Sequence, residues 1–147
     1  FGGYAFNSLR MEKMYRAWGG EFTEEISGVE AGMERFIDIS RDFIGVENIR
    51  ERLENGVDMR LAYLVFDDDI ASECYGNEAI YHNNTLAGLT TGGAYGYRVQ
   101  KSLAFGYLVP KLATAGTELQ VLTTAGMRQC HVETDPVYDP ENKKLRA

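Results

Sequence analysis

The sequence predicts an α+β protein in which a helical N-terminal part precedes a small antiparallel β-barrel. Before about residue 56, apolar residues recur at the spacing of a helix, and after it they alternate at the two-residue period of strands. Hydrophobic residues make up 44% of the 147 residues, which is enough for a packed core. We therefore divide the chain near Gly56, into residues 1–56 and residues 57–147.

Two helices are predicted in the first part. Residues 4–18 carry an apolar stripe at helical spacing, and paired glycines at 19 and 20 are suited to end that helix. Residues 46–54 form the second helix, which ends at Asn55 and Gly56. Between them, the apolar residues at 36, 37 and 39 indicate a short strand. The stripe of the first helix consists of Met11, Met14, Tyr15 and Trp18.

Strands account for most of the second part. In residues 59–65 the apolar side chains alternate, which predicts one apolar side. Asn83-Asn84-Thr85 is typical of a tight hairpin between two of the strands. Strands at this spacing within about ninety residues favour a closed or nearly closed barrel. The predicted strands are residues 59–65, 78–82, 86–91, 101–109, 118–122 and 127–133.

A glycine-rich stretch, residues 90–96, has two interpretations. A phosphate-binding loop would need a Gly-Lys-Ser/Thr ending or a Gly-x-Gly-x-x-Gly pattern, and neither occurs. The stretch also lies between strands, so it offers no helix N-terminus for a phosphate. We therefore predict a bent barrel strand or a β-bulge, because glycine permits the dihedral angles found there.

Charge and hydropathy exclude two classes of partner. The net charge of −7 argues against nucleic acid, since binding phosphates needs clustered lysine and arginine. No apolar run approaches the roughly 20 residues that cross a bilayer, so we expect no membrane partner.

We predict no metal site and no nucleophile. Cys130 and His131 are adjacent in a strand, so their side chains point to opposite faces and cannot share a metal. Cys74 and His82 are the remaining residues of these types, and a chain with two cysteines fits a reduced compartment. Residues 67–69 are aspartates but lack the glycine and distal glutamate of a calcium loop, which predicts an exposed loop.

We predict structural roles, not ligand contacts, for the polar side chains of the first helix and for Trp18 at its end. Glu12 and Arg16 are four residues apart, which is typical of a solvated ion pair on a helix surface. Trp18, next to Gly19, is predicted to be a core anchor.

Four short phrases nevertheless carry a specific resemblance. The phrases are Leu9-Arg10-Met11-Glu12-Lys13, Tyr15-Arg16-Ala17-Trp18-Gly19, Val29-Glu30-Ala31-Gly32-Met33 and Asp42-Phe43-Ile44-Gly45. Together they are similar to folate-dependent aminomethyltransferases, the family of the glycine-cleavage T-protein. Within that family the phrases most resemble the folate domain of dimethylglycine and sarcosine dehydrogenases.

The resemblance extends over nearly the whole chain. It implies that residues 1–56 are the C-terminal part of the folate-binding domain and residues 57–147 the T-protein-type barrel that follows it. Residues 89–97 and 100–104 resemble that barrel, and residues 135–142 resemble the terminus of bacterial sarcosine and dimethylglycine dehydrogenases. The catalytic aspartate of the family and its pterin-binding segment would precede Phe1, so we expect no catalytic residue in this chain.

The resemblance also implies an activity. A longer parent enzyme would pass a one-carbon unit from a small N-methylated amino acid to tetrahydrofolate, with FAD in its N-terminal part. Its location would be the cytoplasm in a bacterium or the mitochondrial matrix in a eukaryote. The segment alone is expected to be inactive. Two alternatives are a stand-alone T-protein-like folate-dependent methyl- or aminomethyltransferase, and a non-catalytic barrel for binding or assembly.

Arg35 is the one cofactor-binding residue that the resemblance implies here. Mitochondrial dimethylglycine dehydrogenases resemble this stretch but carry a tyrosine that touches folate at the matching position. An arginine could instead pair with a folate carboxylate, and the alternative is a solvent-facing side chain. Phe6 stands where the T-protein has an arginine used for folate.

Overall fold

A computed structural model describes residues 2–147, so Phe1 of the predicted first part lies outside the described residues. The predicted class is confirmed, because two helices precede an antiparallel barrel that closes in the order β1-β4-β3-β2-β5-β6. Short 3₁₀ helices cover Glu34–Phe36 and Pro110–Leu112. The main elements are α1 (Gly3–Glu12), α2 (Val46–Asn55), β1 (Arg60–Phe66), β2 (Ala79–His82), β3 (Thr85–Gly96), β4 (Lys101–Leu108), β5 (Glu118–Thr123) and β6 (Gly126–Glu133).

Strand β1 is apolar on both faces, whereas the sequence predicted one apolar side. Leu64 and Phe66 point into the barrel, where they pack with side chains from the other strands. Tyr63 and Val65 point outward and pack with Met11 of α1 in a second core. Part of the outer face of the barrel is therefore covered by α1, so side chains on both faces of β1 are buried.

Helix α1 is attached to the barrel by hydrogen bonds as well as by apolar contacts. The Ser8 hydroxyl donates to the carbonyl oxygen of Tyr95 at 2.8 Å, and the Glu12 carboxylate accepts from the amide of Arg98 at 2.6 Å. Glu12 is only 2% exposed. The predicted solvated pair of Glu12 with Arg16 is therefore wrong, because the carboxylate is buried against the turn between β3 and β4.

Helix α1 ends at Glu12 and does not continue to residue 18. Met14 adopts a left-handed conformation with φ of 57°, and the Tyr15 amide donates to the Arg10 carbonyl at 2.8 Å. This is the pattern of a Schellman motif, usually formed at glycine. Because the chain turns away there, Trp18 is 75% exposed and is not a core anchor.

The segment between the helices also differs from its prediction. The strand expected around residues 36–39 is absent from the described structure, and Glu34–Phe36 forms a 3₁₀ helix instead. Apolar residues this close together are shared by both kinds of structure, so periodicity could not separate them. Helix α2 is confirmed within one residue, and Gly56 follows it with φ of 86°.

The predicted hairpin and bent strand are confirmed. Asn83 and Asn84 have φ of 50° and 62°, the left-handed values that a two-residue hairpin turn requires. Strand β3 runs on through the glycine-rich stretch, and its pairing with β4 shifts register between Thr90 and Gly92. Such a shift is a β-bulge, which bends the strand around the barrel.

Gly88 provides a test of this close strand packing. A Cβ atom at Gly88 would lie 1.9 Å from the carbonyl oxygen of Tyr107, a backbone atom that cannot move aside. We expect Gly88→Ala to lower the free energy of unfolding by at least about 1–3 kcal/mol, measured by urea denaturation. Gly3→Ala is the control, since nothing lies within 4 Å of the added methyl group and alanine favours a helix. An unchanged midpoint for Gly88→Ala would contradict the strand register.

Candidate functional site

A groove of about 480 Å³ lies between the chain that leaves α1, the 3₁₀ helix at Glu34–Phe36 and the segment that follows β6. Its walls combine apolar and aromatic surface with several charged groups. The residues that line it include Lys13, Tyr15, Arg16, Phe22, Met33, Arg35, Phe36 and Asp135.

The groove has the opposite charge to the protein as a whole. Lys13, Arg16 and Arg35 line it, and Asp135 is the one carboxylate among its lining residues. Lys13 lies 3.8 Å from the Asp139 carboxylate, so Arg16 and Arg35 carry the positive charge that is left unpaired among the described residues. The whole chain, by contrast, has a net charge of −7. A basic cleft in an acidic protein concentrates anions, so the groove is suited to a negatively charged ligand.

Lys13 is used to build the groove. Its ammonium group donates to the carbonyl oxygen of Asp139 and to Oδ1 of Asn142, both at 2.7 Å. The amide of Tyr138 donates to the carbonyl oxygen of Glu12 at 3.1 Å. These bonds hold residues 134–142 against the end of α1, where they form one wall of the groove.

Arg16 is held rigidly at the base of the groove. Its Nε donates to the carbonyl oxygen of Ala31 at 2.8 Å, and its guanidinium lies 5.9 Å from the ring centre of Phe105. Burial, and next the positive charge of Arg35, lower the pKa of Arg16. Among residues 2–147, no carboxylate lies within 4.0 Å of this guanidinium.

Arg35 lies on the opposite side of the groove, in the 3₁₀ helix. Its side chain is exposed and its guanidinium lies 4.6 Å from the ring centre of Phe36. No ion pair to Arg35 occurs in the described part of the chain. The exposure agrees with a solvent-facing residue and the groove lining agrees with a ligand contact, so the folate contact stays a prediction.

A second cavity, of about 530 Å³, lies between α1 and the glycine-rich part of β3. Arg10 lines it but is already paired with the buried carboxylate of Glu21 at 3.0 Å. Thr91 donates a further hydrogen bond to Glu21 at 2.8 Å. Because its arginine is already paired with a carboxylate, this cavity is less suited to binding an anion than the groove is. Phe6, 56% exposed, does not line either cavity.

The cysteines and histidines lie apart from the groove. Cys130 is fully buried while His131, its neighbour, faces outward and contacts Asp67 at 2.6 Å, which confirms the predicted opposite faces. Burial raises the pKa of Cys74 and of Cys130 to about 12, so both thiols are protonated near neutral pH. Within residues 2–147 there is no cluster of three potential metal ligands, and no helix there could span a bilayer.

The three aspartates after β1 are a surface loop only in part. Asp67 and Asp69 are exposed, as expected, but Asp68 forms an ion pair with Arg128, whose side chain is 2% exposed. The hydrogen bond from Arg128 lowers the pKa of Asp68. Arg128 also donates to the carbonyl oxygen of Ile70 at 2.9 Å, so this loop closes one end of the barrel.

Comparison with known proteins agrees with this architecture. Residues 60–139 match the family model for the glycine cleavage T-protein C-terminal barrel domain, so the chain belongs to this family. The crystal structure of glycine cleavage system aminomethyltransferase T from Bartonella henselae superposes with a TM-score of 0.83 at 19% identity, covering 92% of this chain and 38% of that one. At that identity the superposition establishes the fold alone.

Two curated relatives are more similar in sequence. Mitochondrial dimethylglycine dehydrogenase from Homo sapiens is 41% identical over 124 residues, which cover 82% of this chain and 14% of that protein. The mitochondrial pyruvate dehydrogenase phosphatase regulatory subunit from Mus musculus is 33% identical over 139 residues, covering 91% and 16%. The chain therefore spans about one seventh of the length of these relatives, and the predicted family resemblance is confirmed.

Sequence reasoning missed most of the groove. Tyr15 was predicted as part of an apolar helical stripe and Arg16 as part of a solvated pair, yet both line the groove. Lys13 and the segment after β6 are more than a hundred residues apart in the chain and meet only in three dimensions. The available signals were the family phrases, which contain Lys13, Tyr15, Arg16 and residues 135–142 but do not show that these residues meet in one groove.

Replacing Lys13 tests how this wall is held. We expect Lys13→Met to raise the hydrogen-exchange rate of the Tyr138 amide about ten- to a hundredfold, because charged hydrogen bonds of about 1.5–3 kcal/mol are lost. Barrel amides should keep their protection. Lys143→Met is the control, since that side chain is 79% exposed and contacts only Glu141. Equal exchange in both variants would show that Lys13 does not hold the wall.

Proposed function

We propose that this chain is the C-terminal part of a longer folate-dependent enzyme that transfers a one-carbon unit from an N-methylated glycine to tetrahydrofolate. The observation that carries the proposal is the basic groove beside a barrel of the T-protein family. The 41% identity to a dimethylglycine dehydrogenase supports the substrate class. Methylenetetrahydrofolate would be the product.

The groove fits the chemistry of a folate. Folates combine flat aromatic rings with a glutamyl end that carries two carboxylates. Tyr15 and Phe36 offer aromatic surface, and Arg35 offers a guanidinium, which binds carboxylates in a planar, charge-assisted manner. In this proposal the aromatic side chains contact the ring system and Arg35 contacts the glutamyl end.

The proposed domains assign folate binding and catalysis to different parts of the parent enzyme. Residues 1–56 would complete a folate-binding domain and residues 57–147 would be the barrel packed against it. The helices before Gly56 and the family match from residue 60 support this division. The catalytic carboxylate and the FAD site would belong to earlier parts of the parent enzyme, so the present residues bind and orient the folate.

The similarity to mitochondrial relatives supports a matrix location in a eukaryote, and the bacterial counterpart would be cytoplasmic. A non-catalytic role is the second candidate function. It is favoured by 33% identity, over 91% of this chain, to a protein named as a regulatory subunit. A stand-alone aminomethyltransferase is the remaining alternative, supported by the T-protein family of the barrel domain.

One assay separates these functions. A parent protein ending in this chain, given sarcosine or dimethylglycine, FAD and tetrahydrofolate, should reduce its flavin and form methylenetetrahydrofolate. The 147-residue chain alone should do neither, because the catalytic carboxylate and flavin site lie elsewhere. Folate-dependent transfer without amine oxidation would favour the stand-alone transferase. A parent protein that neither oxidises amines nor transfers carbon would favour the regulatory role.

Arg35→Ala tests the folate contact in the parent protein. The dissociation constant for tetrahydrofolate should rise about ten- to a hundredfold, since a charged hydrogen bond contributes about 1.5–3 kcal/mol. Flavin reduction by the amine should be unchanged. Arg41→Ala is the matched control, because Arg41 is exposed, pairs with Asp38 at 2.9 Å and does not line the groove. If Arg35→Ala leaves the folate affinity unaltered, Arg35 is a surface residue.

A further inference from the structure

We infer that Arg16 and Arg35 together form a two-arginine clamp for the carboxylate end of the ligand, in which Arg16 is the fixed member. The inference rests on the proposed function, because the ligand class is a folate with a dicarboxylate end. It adds a binding residue, Arg16, that neither periodicity nor family resemblance assigned. Three observations carry it: the anchoring of Arg16, its unengaged Nη2 and its lack of a counter-ion.

Arg16 is anchored through two of its three guanidinium nitrogens. Nε donates to the Ala31 carbonyl at 2.8 Å and Nη1 is 3.4 Å from the Met14 carbonyl. Both acceptors are backbone atoms, so the side chain has a defined position before any ligand arrives. A guanidinium held in this way loses little conformational entropy on binding a carboxylate.

The third nitrogen, Nη2, has no hydrogen-bond partner among the described residues and faces Gly32. A Cβ atom built on Gly32 would lie 3.3 Å from Nη2 of Arg16. Gly32 lines the groove and has φ of 67°, a conformation that favours glycine. The missing side chain therefore leaves room for a ligand oxygen to approach Nη2 from the groove.

The acidic residues around Arg16 are already engaged elsewhere. Glu21 pairs with Arg10 at 3.0 Å, and Glu34 pairs with Arg60 at 2.7 Å. Asp135 lines the groove, but it is exposed and does not lie within 4.0 Å of Arg16. Arg16 thus has no carboxylate partner in the described chain.

Arg35 adds a second positive charge to the same groove. Burial, and next the like charge of Arg35, lower the pKa of Arg16. Repulsion of this kind is relieved when an anion binds between the two groups. The arrangement is therefore suited to a ligand with two carboxylates, and less to a neutral one.

The test uses half of the folate as the probe. N-(4-aminobenzoyl)-L-glutamate and its neutral diamide are titrated separately into the 147-residue chain, and binding is followed by NMR shifts. Arg16→Met should raise the dissociation constant for the dicarboxylate about ten- to a hundredfold and leave that for the diamide unchanged. Arg16→Lys should restore part of the affinity, since it keeps the charge without the planar fork.

The controls separate binding from folding. Arg41→Ala should leave both constants unchanged, and the melting temperature of each variant reports on stability. Equal weakening of the dicarboxylate and the diamide would assign Arg16 a structural role and overturn the clamp. An unchanged dissociation constant for the dicarboxylate in Arg16→Met would also overturn the clamp. A wild-type chain that does not bind the dicarboxylate would overturn it as well. Inorganic phosphate that displaces the probe from Arg16 at equal concentration would also overturn the dicarboxylate preference.

Failure of the clamp and failure of the proposed function give different results. Folate-dependent carbon transfer by the parent protein can succeed while Arg16→Met has no effect, in which case only the clamp fails. If transfer fails but the probe still distinguishes Arg16→Met from wild type, the clamp stands as a carboxylate site and the proposed enzyme activity fails.

Discussion

Glu12 is the residue on which the rest of the structure depends. Its buried carboxylate accepts hydrogen bonds from the backbone at the β3–β4 turn, and its carbonyl oxygen accepts one from Tyr138. One residue therefore connects α1, the barrel and the segment after β6. A buried carboxylate is costly unless it is fully hydrogen-bonded, and here backbone amides supply those bonds. This requirement determines where α1 lies on the barrel.

The groove is a direct consequence of that attachment. Since α1 ends at Glu12, the next residues leave the helix, and Lys13, Tyr15 and Arg16 reach the groove from an irregular chain. Had the helix continued, Arg16 would lie on its surface, one turn after Glu12. Because of the Schellman turn at Met14, these residues form a wall of the groove instead of a solvated helix face.

The barrel contributes rigidity to this arrangement. Its interior is filled by side chains from all six strands, while Tyr63 and Phe105 on the outer face pack beneath α1. The hydroxyl of Tyr63 donates to the carbonyl of Met11 at 2.8 Å, so the helix is held by polar as well as apolar contacts. Arg16 lies over Phe105 and therefore takes its position from the same core.

The sequence by itself determined the barrel, the Asn83-Asn84 hairpin, helix α2 and the family, because local periodicity, turn chemistry and ordered motifs encode each of them. Only the tertiary structure decided where α1 ends, that Glu12 is buried and that both faces of β1 are buried. The groove also belongs to this second group, since it joins Lys13 to a segment more than a hundred residues away. Contacts at such separation leave no period in the sequence, so their partners become visible only when the chain is folded.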